Sequence, residues 1–134
     1  MIKNILVCFI LILLLSCHDT QKKRPVTDME VATAFIRDVL DNDFKDADQY
    51  LLKDETNQRL FSRFQQQYHV KDKGELSKYK SADIIINGYE NVTDSVSIVN
   101  YSNSYRSDIK NKIKMVLVDG KWQVDFKYTF SGNL

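Results

Sequence analysis

Residues 109–130 read IKNKIKMVLVDGKWQVDFKYTF. Asp119-Gly120 at the centre is a two-residue turn of the kind that closes a β-hairpin, because both positions of such a turn need φ > 0. Folding the chain there sets a register. Leu117 faces Trp122, Met115 faces Val124, Ile113 faces Phe126 and Ile109 faces Phe130. The opposite face sets Val116 against Gln123, Lys114 against Asp125 and Lys112 against Lys127. One face is apolar and the other largely charged, so a slip of one residue would turn every apolar side chain to water. A hairpin alone is marginal and must lie on a second layer.

The preceding chain is read as that layer. Thr27 and Glu30 form a T-x-x-E capping box, and Val31, Ala32, Phe35, Ile36, Val39 and Leu40 follow at helical spacing. Asn42-Asp43 interrupts the pattern. Phe44, Ala47, Tyr50 and Leu51 predict a short second helix. Leu60, Phe61, Phe64 and Tyr68 predict a third over 56–68, capped by Asp54 or Thr56. Residues 71–74 are a charged break, and one more helical turn over 75–80 points Leu76 and Tyr79 inward. Strand character begins near Ala82, with Gly88 marking a bulge and Thr93-Asp94 a turn. In the next strand, 95–101, Val96 and Ile98 share one face while Val99 and Tyr101 share the other. That change of apolar parity predicts a bulge or a strong bend near Val99-Asn100. Residues 102–108 are polar and read as a loop or a frayed strand end. Helices first and antiparallel strands afterwards predict an α+β fold, with the N-terminal helices packed on a curved antiparallel sheet of about four strands.

The N-terminus reads as an address. Lys3 precedes an unbroken apolar run from Ile5 to Leu15, which fits the h-region of a signal peptide and falls short of the roughly 20 residues a spanning helix needs. The run ends in Leu14-Leu15-Ser16-Cys17, which resembles the bacterial lipobox. The resemblance implies cleavage after Ser16 and a diacylglyceryl thioether on Cys17; an ordinary secretory signal is the alternative. The predicted organisation is a signal peptide over 1–16, a lipidated cysteine and tether over 17–26, and one domain over 27–134. The chain's two cysteines are Cys8 and Cys17. The domain is therefore expected to fold without a disulfide and to carry no thiol nucleophile. A net charge of +1 over 134 residues argues against a nucleic-acid partner, whose footprint is a basic excess.

Three stretches, Ala34-Phe35-Ile36, Asn42-Asp43-Phe44 before Ala47, and Asp119-Gly120-Lys121-Trp122-Gln123-Val124, resemble the nuclear-transport-factor-2-like (cystatin-like cone) superfamily, and within it the small bacterial lipoproteins. The resemblance spans about residues 27–130. It implies a cone-like roll, a curved sheet wrapped around the helices, sometimes with a pocket between them. Members include isomerases, dehydratases, hydrolases and non-enzymatic modules, so the fold does not carry a function.

No catalytic constellation is legible. His69 is the sole histidine in the predicted domain, and at a helix C-terminus it caps carbonyls or is exposed. Convergent metal ligands are missing from the sequence. So are a Ca²⁺ loop, a phosphate-binding glycine loop and a G-x-S-x-G elbow. No metal or cofactor is expected. The residues expected to line a pocket are Phe35, Tyr50, Phe64, Tyr68, Ile98, Asn100, Tyr101, Met115, Trp122 and Phe126, with filling of the core as the alternative for most of them. Asn100 and Asp83 are the polar strand residues that a bulge would turn inward, an exposed strand face being the alternative. Asp125 is expected to pair with Lys114 across the hairpin. Asn91-Val92-Thr93 matches a glycosylation sequon, and Asp94-Ser95-Val96 resembles an O-glycosylation motif of some gut-type bacteria.

The expectation is a lipoprotein of the bacterial cell envelope, held to a membrane through Cys17. Its domain would be a non-catalytic module for a small apolar ligand or an envelope protein partner, and would not bind nucleic acid. The alternative is a small-molecule enzyme using an inward Asp or Tyr in the cone.

Overall fold

The computed structural model describes residues 23–130. The signal peptide expected over 1–16, the expected lipidation of Cys17 and the first part of the expected tether lie outside these residues.

Each α-helix starts at an oxygen-bearing cap. Thr27 Oγ1 accepts the Glu30 N–H at 3.2 Å while the Glu30 carboxylate accepts the Thr27 N–H at 3.1 Å, which opens α1 over Asp28–Leu40. The six apolar residues expected on its inner face are all buried. Asn42 ends the run in the left-handed region at φ 61, a conformation Asn tolerates better than most residues. Asp43 caps α2, Phe44–Ala47, which continues as a 3-10 turn over Asp48–Tyr50. Asp54 rather than Thr56 caps α3, Glu55–His69. Asp72 caps α4, Lys73–Lys80, so this helix starts two residues earlier than its apolar pattern indicates.

Four antiparallel strands follow in sheet order β1-β2-β3-β4: Ile84–Thr93, Val96–Asn103, Asn111–Val118 and Lys121–Asp125. The chain is thus an α+β fold with its helices N-terminal to its strands. Asp119 and Gly120 both take positive φ, 50 and 74, and the hairpin pairs Leu117 with Trp122, Met115 with Val124, Val116 with Gln123 and Lys114 with Asp125.

Three expected pairs do not form: Ile113 with Phe126, Lys112 with Lys127, and Ile109 with Phe130. The chain leaves the sheet at Asp125 and winds into a 3-10 turn over Phe126–Phe130. The Lys127 N–H, which a longer strand would spend on β3, donates instead to Asn57 Oδ1 of α3 at 2.6 Å. Ile109 lies exposed in the loop before β3.

The bulge expected near Val99-Asn100 is also absent. β2 pairs with β3 without a shift from Val96↔Val116 to Tyr101↔Asn111. The irregularities lie on β1, between Ile86 and Gly88 as the glycine indicated, and between Asn91 and Thr93. The parity change has another cause. Ser97, Val99 and Tyr101 alternate onto the helix-facing side, and Ser97 interrupts the apolar pattern because its hydroxyl donates to Asp28 Oδ2. Val96 and Ile98 sit half-buried on the opposite face. The polar residues Ser102 and Asn103 extend β2, which shortens the expected loop to 104–110.

The core is a layer of rings over aliphatic strand residues. Phe61 and Phe126 stand edge to face at 5.2 Å between centroids, with Phe35 at 5.7 and 6.1 Å from them, spacings at which aromatic quadrupoles attract. Beneath them Val99, Ile113, Met115 and Val124 are fully buried. The free edge of β4 is partly covered by the Leu51-Leu52 segment, whose Leu52 N–H donates to the Val124 carbonyl at 2.9 Å. Among the described residues the outer edge of β1 has no strand partner. Its two irregularities interrupt it as a template for further strands.

Candidate ligand cavity

A cavity of about 270 Å³ lies where α1, α3, α4, the end of β2 and the 104–110 loop converge. Its apolar side comes from the last turn and a half of α1, through Ile36, Val39 and Leu40. Helical spacing of three and four residues places these on one face. Phe64 and Tyr68 of α3, Tyr79 of α4 and Tyr101 of β2 supply rings. The polar side is Gln67, Lys71, Asn103, Arg106 and Asn111. The Arg106 N–H donates to Asn103 Oδ1 at 2.9 Å, which folds the loop back over the site.

Tyr68 is the chemical centre of this space. It is 4% exposed, packed against Phe44, Phe64 and Tyr79 at centroid distances of 5.4, 5.9 and 5.5 Å. Its hydroxyl is the one buried side-chain polar atom without a hydrogen-bond partner among the described residues. Such a group is costly to bury and calls for a cause. Burial first, then the neighbouring Tyr79 and Tyr101, pushes the Tyr68 phenol well above the ordinary range. Burial pushes Tyr101 up to about 12. Both phenols are therefore neutral at physiological pH and offer a proton to an acceptor.

Two cations flank the rings. Lys71 Nζ lies 5.3 Å from the centre of the Tyr79 ring and 5.9 Å from that of Tyr68, within cation–π range. A hydrogen bond from Lys71 to Glu75 at 2.7 Å holds the ammonium above its ordinary pKa. Arg106 forks onto Asp108 through Nε at 3.1 Å and Nη2 at 3.0 Å. Among the described residues neither a carboxylate nor an imidazole lines the cavity.

Of the ten residues expected to line a pocket, the structure brings Phe64, Tyr68 and Tyr101 together here. Phe35, Met115 and Phe126 fill the core instead. Tyr50 and Trp122 border a surface depression of about 410 Å³ beside Pro25 and Gly120. Ile98 and Asn100 point to the other side of the sheet, around a shallow space of about 240 Å³ with Lys112 and Tyr128. Asn100 stays outward because β2 carries no bulge to turn it. Asp83 is likewise exposed. Sequence reasoning placed Tyr79 inward but missed Gln67, Lys71, Asn103, Arg106 and Asn111. Lys71, Asn103 and Arg106 come from segments read as a charged break and a loop, Gln67 from the polar side of a helix, and Asn111 from the first residues of the hairpin stretch, ahead of its predicted cross-strand pairs on the charged face.

Elsewhere the polar groups are spoken for. Tyr89 donates to Asp28 Oδ2 at 2.7 Å, as does Ser97, and the Met29 N–H reaches Oδ1 at 2.8 Å. Burial acts to raise the Asp28 pKa, but these hydrogen bonds outweigh it and hold the carboxyl below its ordinary value. That is the reverse of what a proton-donating carboxyl needs at neutral pH. A broader depression of about 520 Å³ lies between residues 23–25 and α1. The Arg37 guanidinium at its edge is spent on Asp41 and on the Ala82 and Lys80 carbonyls. Lys114 stands 3.5 Å from Asp125, as the hairpin register requires. His69 is exposed at the end of α3.

Among the described residues no group of three His, Cys, Asp or Glu side chains could hold a metal, and no helix is long and apolar enough to cross a membrane. The chain matches no family model, no curated protein and no solved structure.

Proposed function

We propose that this chain is a lipid-anchored protein of the bacterial envelope whose α+β domain binds a small molecule and does not transform it. The observation that carries the reading is the unpartnered, buried hydroxyl of Tyr68 at a cavity with an apolar wall and a polar mouth. Apolar concavities with a few convergent polar groups are the default form of a ligand site. At about 270 Å³ the space falls just below the usual range of such sites, roughly 300–1,000 Å³, so the occupant is small.

Placement supports an aqueous ligand. The tether joins α1 at Asp28, whereas the cavity touches Ile36 to Leu40, about 12–18 Å further along the helix at 1.5 Å per residue. Ten residues separate Cys17 from α1, a reach of at most about 35 Å. The site thus lies at the end of α1 away from the anchor. The non-catalytic reading is supported by the cavity's ionisable wall, which contains phenols and cations but neither a carboxylate nor an imidazole. The resemblance to nuclear-transport-factor-2-like proteins supports the cavity rather than the absence of catalysis, because that superfamily sometimes holds a pocket between its helices and its sheet and hosts both binders and enzymes.

The test is purification of the anchored protein from its own cells, followed by mass spectrometry of the small molecules released on denaturation. A compound carried by wild type and lost in Gln67→Trp, which blocks the mouth from an exposed helical position, is the expected result. Recovery of nothing above the blocked variant would sink the binding reading. Return of that compound chemically altered after incubation with pure protein would overturn the non-catalytic part.

A further inference from the structure

We infer that the cavity's ligand is a small organic carboxylate, seated with its apolar body against Ile36, Val39 and Leu40 and its anionic head among Tyr68, Lys71 and Arg106. This rests on the cavity reading above and adds the charge and polarity of the occupant.

Three observations carry it. The formally charged side chains lining the space are Lys71 and Arg106, and both are cations. The acids that pair with them, Glu75 and Asp108, stand outside the lining. Those pairs leave donors over. Arg106 uses Nε and Nη2 on Asp108, and a guanidinium carries five N–H groups. Lys71 spends one ammonium hydrogen on Glu75 of the three it has. The third observation is the Tyr68 hydroxyl, which is buried, unpartnered and protonated. It has a proton to give and no acceptor within reach.

Beside the Gln67, Asn103 and Asn111 amides, the polar end of the site therefore holds three groups with a donor to spare, the buried Tyr68 hydroxyl and the partly exposed Lys71 and Arg106. A carboxylate is acceptor-only, with about four lone-pair sites, and takes charge-assisted hydrogen bonds from both cations and from the phenol. A neutral amide offers one acceptor oxygen and brings two N–H donors to a site already supplied with them. The opposite wall, aliphatic and closed by the Phe64 ring, selects an apolar body. Its limited volume excludes long acyl chains.

The experiment uses the full-length protein in detergent, labelled with 3-fluorotyrosine, and the matched probes 4-phenylbutanoate and 4-phenylbutanamide. The ¹⁹F resonance of Tyr68, assigned through Tyr68→Phe, reports binding in the cavity, with detergent alone as the control for partitioning. The expected result is a Tyr68 shift with both probes and an affinity about ten-fold higher for the carboxylate, the difference between charge-assisted and neutral hydrogen bonds. Arg106→Gln and Lys71→Met should each erode that preference and leave amide binding in place. If both probes shift Tyr68 with equal affinity, the cavity reading stands and the carboxylate assignment is overturned. If neither probe moves Tyr68 at millimolar concentration, both are overturned.

Discussion

Asn57, in the first turn of α3, donates from Nδ2 to Asp125 Oδ1 at the end of β4, 3.2 Å away. The same amide donates to Asp54 Oδ2 at 2.8 Å and accepts the Lys127 N–H at 2.6 Å. Asn57 is fully buried and Asp125 is 6% exposed. One side chain thus joins the start of a helix to the point where the sheet ends. Asn57→Ala would leave the Lys127 N–H without its acceptor and take one donor from Asp125 Oδ1, which keeps the Lys127 ammonium at 3.4 Å. The expected cost is about 2–3 kcal/mol, a large part of a total near 5–15 kcal/mol. Urea unfolding of the variant should show a lowered midpoint with an unchanged slope. A loss under about 0.5 kcal/mol would mean that water replaces the amide.

Tyr68→Phe should act in the opposite direction. It removes a buried hydroxyl that has no partner and keeps the ring contacts with Phe44 and Tyr79. The ligand-free variant is expected to be about 1 kcal/mol more stable than wild type, because an unsatisfied buried group carries a desolvation penalty. Thermal melts of stripped protein measure this. Destabilisation would show that the hydroxyl is satisfied in solution by an ordered water.

Acid sensitivity should trace in part to Asp28. Its carboxyl is held below the ordinary range by Ser97, Tyr89 and the Met29 N–H, against the opposing effect of burial. A folded-state pKa depressed below the unfolded value, near 3.9, contributes stability that is present above that unfolded value. It is lost as pH falls through the folded one. Asp28→Asn should lower the melting temperature at neutral pH and flatten its decline below about pH 4. Parallel curves for wild type and variant down to pH 2 would place the acid dependence elsewhere.

An apolar hairpin face packed wholly on the helices would bury Trp122 against Leu117. Trp122 does face Leu117 in the hairpin and packs on the core, but it is half-buried at the rim of a surface depression. The hairpin tip, residues 118–121, projects into solvent. Truncating an enclosed Trp costs about 3–5 kcal/mol. Trp122→Ala should cost less, about 1–2 kcal/mol given its partial burial. Outright unfolding of the variant in guanidinium-free buffer would show that the indole is more deeply seated.

Membrane attachment should depend on Cys17. In bacteria fed labelled fatty acid, wild type is expected in the membrane fraction with label. Cys17→Ala should be unlabelled and processed abnormally. Unlabelled, soluble wild-type protein would end the lipoprotein reading.

Most of what is decided within a few residues was legible in the sequence, the Asp72 cap of α4 being the exception. The capping box at Thr27 and Glu30, the break at Asn42-Asp43, the Asp119-Gly120 turn and four of the hairpin pairs depend on neighbours close along the chain. Periodicity of 3.6 and 2 then assigns which face is buried, and the α+β architecture follows from the order of the patterns. Tertiary contact decided the rest. The end of β4 depends on Asn57, 68 positions away from Asp125, and no local signal at Phe126 announces that its strand has stopped. The outward placement of Ile98 and Asn100 followed from Asp28 taking the Ser97 hydroxyl, which disguised the inner face of β2. The cavity belongs wholly to this second class. Its lining comes from three helices, a strand end, a loop and the start of β3. An apolar pattern states which side chains turn inward; only the packed volumes of residues distant in sequence determine where they fail to meet, and the Tyr68 hydroxyl stands at that gap.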